Sequence, residues 1–263
     1  MSTSTKSLAL LICGSLTANL IEKYGDYSQV FGTFFRNSLP ENTDFTLDAY
    51  DVFNKMEYPS EEKLGQYDGI VLTGSAASAY ENVEWINKLV AFIARIANDL
   101  PQIKIIGICF GHQIVGRALG GECVPNNGIW EVGPTTVDLT DLGKEFFGVE
   151  TLNVQQMHRD HVPTVPTTFH LLGSTSACFN QGMVRFSPGT TPGKKDLKDV
   201  QVFAIQGHPE FDKGIVSGLV EARLSTGIFD EGMAADVKRR EDWRNDGIPI
   251  LGRAIWAVLG VTV

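Results

Sequence analysis

Lys104-Ile-Ile-Gly-Ile-Cys-Phe-Gly-His-Gln113 is the stretch that decides the fold. An apolar run too short for a helix leads straight into Cys109, and helical spacing resumes over Gln113–Leu119. A buried strand that turns at once into a helix is the repeating unit of a parallel sheet wrapped by helices. Gly107 and Gly111 stand two residues either side of the cysteine. That arrangement fits a nucleophile elbow, a sharp turn that lifts a reactive side chain above the sheet rim. Glycine is required where neighbouring backbones come too close for a side chain. The start of a helix offers free N–H groups and partial positive charge, which favour the nucleophilic thiolate. From spacing alone, a buried cysteine in a glycine-rich strand end is the competing reading.

Outward from this segment, the first two-thirds of the chain alternates apolar runs with amphipathic stretches. Strands are expected at Leu8–Cys13, Phe45–Tyr50, Gly69–Thr73 and Ile103–Ile108. Val83–Asn98 sets Trp85, Leu89, Phe92, Ile93 and Ile96 at helical spacing, as core contacts, and Pro101 separates that helix from the next strand. From Cys123 to Phe186 the alternation is of β type, with turns expected at Pro134, Gly143 and Gly173. Gly120-Gly121 reads as a helix stop. Ser187–Asp199, rich in Gly, Pro, Thr and Lys, reads as a surface loop, and Val200–Gln206 as a buried strand. Helices are expected over Lys213–Thr226 and Ala234–Arg244, with Lys238-Arg239-Arg240 as a solvated face. The whole is expected to be one domain, 1–263, ending in helices after about residue 212.

The 263 residues are 43% hydrophobic and 20% charged, enough for a sizeable core. A formal net charge of -9 argues against a nucleic-acid surface, which needs clustered basic groups. Cys13, Cys109, Cys123 and Cys178 form no CxxC pair, which disfavours zinc ribbons, redox motifs and a disulfide framework; a reducing, cytoplasmic setting is expected. Lys6 and the apolar run Leu8–Leu16 superficially match a secretion signal, but the run is short and Cys13-Gly14-Ser15 closes it as a strand-to-loop transition. No stretch is long and apolar enough to span a membrane, so no membrane partner is expected.

Val200–Gln206 ends in Gln206-Gly-His-Pro-Glu210. His208 and Glu210 alternate with Pro209, so both side chains can face one side at the strand's carboxyl end. There an imidazole can reach Cys109 while the carboxylate orients it, the logic of a nucleophile–base–acid triad. Ligands of open α/β sheets bind at this end of the strands. A turn histidine fixed by its proline is the bland alternative. Attack on an amide also needs fixed N–H donors for the oxyanion. The Phe110 amide and one at Gly74 or Ser75 are the candidates. His158 and His161 bracket Asp160, but without further ligands nearby they read as pocket support; no metal is expected.

Together these residues resemble the class I glutamine amidotransferases. Gly107-Ile-Cys-Phe-Gly-His-Gln113 is similar to the family's elbow, and Gly207-His-Pro-Glu210 to its histidine–glutamate segment, in the same order. Tyr67-Asp-Gly-Ile-Val-Leu-Thr-Gly-Ser75, Arg117-Ala-Leu-Gly-Gly121 and Met157-His-Arg-Asp-His-Val162 extend the likeness, and Tyr24-Gly-Asp-Tyr27 is similar to a segment of free-standing members. The resemblance implies a doubly wound, flavodoxin-like open sheet with helices on both faces and an antiparallel extension. It implies hydrolysis of a γ-glutamyl amide through a thioester on Cys109, with His208 moving protons and Glu210 orienting it, and no cofactor. It implies substrate contacts at Gln113 and at His158, Arg159 and Asp160, where many relatives have His-Gly-Asp; Gly74-Ser75-Ala76 likewise replaces a common Gly-Gly-Pro. Free-standing fungal and plant members, including γ-glutamyl peptidases acting on glutathione conjugates, are the nearest in pattern. A glutaminase feeding ammonia to a separate synthase, and a non-catalytic binding protein on the same fold, are the alternatives.

Overall fold

The computed structural model describes residues 4–190 and 196–262; part of the expected Ser187–Asp199 loop, residues 191–195, lies outside them. The first half runs β1 (Ser4–Ile12), α1 (Ala18–Tyr24), α2 (Tyr27–Asn37), β2 (Thr43–Asp51), α3 (Glu61–Leu64), β3 (Gly69–Leu72), α4 (Glu84–Asp99), β4 (Lys104–Ile108) and α5 (Phe110–Ala118). The second runs β5 (Val124–Pro125), β6 (Glu131–Leu139), α6 (Asp141–Phe147), β7 (Thr151–His158), β8 (Asp160–His161), β9 (His170–Ser174), β10 (Gly182–Phe186), β11 (Val200–Ile205), α7 (Lys213–Ser225) and α8 (Glu231–Arg240). A widened helical stretch, Gly247–Gly252, then leads into α9 (Arg253–Val258).

Nine strands form one sheet in the order β2-β1-β3-β4-β11-β10-β9-β6-β7. The pairings from β2 to β11 are parallel, and those from β11 to β7 antiparallel. β11 enters beside β4 with Val202–Ile205 level with Ile105–Ile108, so the expected elbow and the histidine segment leave the sheet side by side. β3 and β11 are buried along their whole length, as strands covered on both faces must be. Alternation along β1, β3 and β4 divides side chains between two cores. Leu8, Leu10, Val71 and Ile106 face Phe31, Phe34, Phe35 and Trp256, whereas Ala9, Leu11, Ile70 and Ile105 face Ile86, Leu89, Ile93 and Ile96 of α4.

Three expected turns lie inside regular elements instead. Pro134 sits within β6, where Arg240 of α8 donates to the carbonyls of Val132 and Pro134. A residue's N–H and C=O point the same way, so proline's missing donor falls on the side met by a side chain rather than a strand. Gly143 lies in α6, where an added Cβ would collide with the Leu172 carbonyl oxygen, and Gly173 lies in β9, where one would come 2.8 Å from Val137. Both glycines mark close approach of elements rather than reversal of the chain. Gly120, with φ +95°, does stop its helix, and Gly121 N–H closes on the Gly116 carbonyl at 2.9 Å. The last long helix runs Glu231–Arg240, earlier than its spacing suggested, because Asp230 caps it by accepting from Met233 N–H at 2.8 Å.

Candidate active site

Cys109 joins β4 to α5 with φ 52° and ψ -104°, a left-handed conformation that costs a non-glycine residue on the order of 1–3 kcal/mol. Its surroundings hold it there. Cys109 N–H donates to the Ile205 carbonyl at 2.9 Å, and Gln113 N–H to the Cys109 carbonyl at 3.1 Å. A Cβ on Gly107 would lie 2.7 Å from the Gly111 oxygen, and one on Gly111 2.6 Å from the Leu72 Cβ. Neither position admits a side chain without moving backbone. Phe110, the first helical residue, keeps an N–H that no residue within the helix can accept.

His208 and Glu210 follow β11, both buried, with His208 Nδ1 2.8 Å from Glu210 Oε1. The His208 ring lies flat on Phe211, centroids 4.0 Å apart and planes 1° from parallel. Its backbone N–H is tied to the Gln155 carbonyl of β7 at 2.8 Å. Gly74, in the loop after β3, makes room for the ring, since a Cβ there would lie 2.7 Å from His208 Cε1. Nδ1 is occupied by the carboxylate, and Cys109 is the other group whose charge acts on the ring. Burial by itself pulls the imidazole pKa down, but the negative charge available on Cys109 and on Glu210, with hydrogen bonds to both, outweighs it and raises the value to about 10. Tyr27 of α2 stands close by; burial first, then Glu210 and Cys109, push its phenol above the ordinary tyrosine range.

The sulfur has a further neighbour that the sequence reading left without a role. Gln206 Nε2 lies 3.6 Å from Cys109 Sγ, and Gln206 Oε1 accepts from Gln113 Nε2 at 3.2 Å. The signal was a fully buried amide at the end of an apolar strand. Gln113 also donates to the Asp160 carbonyl at 2.9 Å, so this expected substrate contact spends its amide donors inside the protein. His158 points inward as well, with Nδ1 3.1 Å from the Asp160 carbonyl and Nε2 3.1 Å from Glu131 Oε2. The Asp160 carboxylate accepts from Ser78 Oγ at 2.7 Å. Arg159 alone of the three turns outward, its guanidinium 5.5 Å from the Trp130 ring centroid.

A cavity of about 210 Å³ opens over the sulfur, lined among others by Ser75, Cys109, Trp130, Arg159, Asp160 and Arg223. A second, of about 270 Å³, reaches His208 and Tyr27 and shares Ser75, Ala76, Met157 and Arg223 with the first. Arg223 of α7 was also missed in the sequence. Its guanidinium packs 5.0 Å from the Trp130 centroid and 5.7 Å from that of Phe229. Burial lowers its pKa, opposed by the nearby Cys109 charge. Among the described residues, Glu131, His158 and Cys178 bring donor atoms within 4.8 Å of one another, a spacing a metal ion could use. The Glu131 oxygens are taken by Thr175 and Gln181 at 2.7 and 2.6 Å, so this cluster reads as a closed polar network behind the pocket. All four cysteines are free and buried.

The family model for glutamine amidotransferase class I matches residues 41–217. A glutamine amidotransferase-like protein of Schizosaccharomyces pombe is 34% identical over 239 residues, covering 89% of this chain and 91% of that protein. Gamma-glutamyl peptidase 3 of Arabidopsis thaliana is 28% identical over 242 residues, covering 89% and 88%. In fold, the crystal structure of a glutamine amidotransferase from Thermotoga maritima superposes with a TM-score of 0.68 over 97% of this chain and 99% of that one, at 22% identity. Sheet order, elbow and sequence agree: the chain belongs to the class I glutamine amidotransferase family.

Proposed function

We propose that the protein hydrolyses γ-glutamyl amide bonds through a thioester on Cys109. The observation that carries this reading is the His208–Glu210 pair, 2.8 Å apart, at the carboxyl end of β11 beside the end of β4 that leads into Cys109. The Cys109 thiolate attacks the γ-carbonyl carbon, and the oxygen takes the negative charge. N–H groups of Phe110 and of Gly74 or Ser75 are the donors that would receive it. The protonated His208 gives its proton to the departing nitrogen, the C–N bond breaks, and an amine leaves. Neutral His208 then takes a proton from water, whose oxygen attacks the thioester. Collapse expels the thiolate and frees the γ-carboxylate. Glu210 keeps the proton-carrying nitrogen aimed at the sulfur throughout.

Arg159 and Arg223 favour a substrate bearing carboxylates, and their stacking on Trp130 adds an apolar wall beside them. Likeness to a γ-glutamyl peptidase supports a γ-glutamyl peptide over free glutamine. The test is released amine from glutamine, a γ-glutamyl dipeptide and glutathione, with wild type and Cys109→Ala. Turnover should be greatest on the peptides and vanish in Cys109→Ala with the fold intact. Full activity in that variant would overturn the reading.

A further inference from the structure

The buried amides at the end of β11 are ordered in a way that reaches the sulfur, an inference that rests on the thioester reading above. A side-chain amide can turn over, presenting its oxygen where its N–H₂ had been. At Gln206 such a flip would set a lone pair against a sulfur anion. Its orientation, however, is fixed from the far end. The Asp160 backbone carbonyl can only accept, so Gln113 must direct Nε2 toward it, at 2.9 Å. The second N–H of the same nitrogen then meets Gln206 at 3.2 Å and requires an oxygen there. Gln206 Nε2 is left facing Cys109 Sγ at 3.6 Å. Asp160 is anchored in turn by Ser78, in the loop that carries Gly74 and Ser75.

We propose that Gln206 is a second, non-titrating hydrogen-bond donor to the nucleophile, and that Gln113 is the positioning residue that fixes the direction of its donation. The two donors to the sulfur divide the work. His208 supplies a proton that travels to the leaving amine. Gln206 supplies one that stays, steadying the thiolate before attack and again when the thioester collapses and charge returns to sulfur. Titratable or charged groups around the sulfur and the cavity over it are His208, Tyr27 of α2, Arg223 of α7, Cys123 ahead of β5, and Arg159 and Asp160 of the cavity lining. Gln206 adds a donor to that set without adding a charge.

The experiment is alkylation of Cys109 by iodoacetamide between pH 5 and 9, with modification at that residue read by mass spectrometry. Gln206→Met keeps the length and removes the donor. A hydrogen bond to a charged group is worth about ten- to a hundredfold, and the alkylation rate near pH 6 should fall by that factor while converging on wild type at high pH. Gln113→Leu frees Gln206 to turn over and should give a smaller fall in the same direction. The double variant avoids an orphaned Gln113 donor and should match Gln206→Met, which keeps the idea testable should the single variant fold poorly. A merely structural role would lower the melting temperature and leave the pH profile alone. Folded variants whose profiles overlay the wild type overturn the proposal while the thioester reading stands. A wild-type Cys109 no more reactive than an unfolded thiol, in a protein without turnover, overturns the thioester reading itself.

Discussion

A single imidazole stands at the centre of the proposed chemistry, and its charge depends on two neighbours. His208 titrates near 10 in the folded chain against 6.5 for an ordinary histidine, burial being outweighed by Cys109 and Glu210. A raised folded value means that charged His208 contributes stability fully below about pH 6.5 and loses it as pH climbs through about 10. Glu210→Gln should therefore lower the melting temperature most below pH 6.5, with the gap to wild type closing toward pH 10. Histidine NMR should place the His208 midpoint lower in that variant, and turnover should drop roughly a hundredfold or more. An unmoved midpoint would mean that the carboxylate does not govern the ring. Cys109, His208 and Glu210 were legible in the sequence because each sits in a short stretch with its own geometry. Gln206 and Arg223 were not. The first acquires its direction from Gln113 and Asp160, and the second from which face of α7 turns toward Trp130, neither of which local spacing records.

Among the elements, the elbow was the most readable and the connecting segments the least. Apolar runs located β1, β3, β4 and β11 within a few residues, since strands buried on both faces leave continuous hydrophobic stretches, whereas the edge strand β2 buries only Phe45 and Tyr50. The first helices went unplaced although α2 carries a capping box, with Asp26 accepting from Ser28 and Gln29 N–H groups and Gln29 returning to Asp26 N–H at 2.7 Å. Glycines misled in the antiparallel half, where Gly143 and Gly173 serve packing and not turning. In the elbow itself the same demand for space is testable. Gly111→Ala would press a methyl into Leu72 of β3 and should cost about 1–3 kcal/mol, read as a lower urea midpoint. A variant as stable as wild type would show that β3 and α5 can part without penalty.

At the scale of the whole molecule, a parallel half and an antiparallel half share β11, the strand that leads to His208. No helix among the described residues is long and apolar enough to cross a membrane. The C-terminal helix closes one face. Trp256 is fully buried against Phe35 and Phe45, and its indole N–H donates to Ser38 Oγ at 3.1 Å. Trp256→Ala should cost about 3–5 kcal/mol, roughly 10 °C in a thermal melt of a chain this size. An unchanged melt would mean that α9 is not part of the cooperative core. The sequence pattern indicates helices over Lys213–Thr226 and Ala234–Arg244 but none at Arg253–Val258. The insertion of β11 beside β4 brings a consequence for how the molecule matures. Gln206 and the sulfur are 97 residues apart in the chain, so the elbow of a nascent polypeptide lacks this neighbour until most of the length has been made and threaded home. During refolding, Cys109 alkylation near pH 6 should rise above that of an unfolded thiol only after helical signal has appeared, which makes the thiol a built-in reporter of the docking of β11.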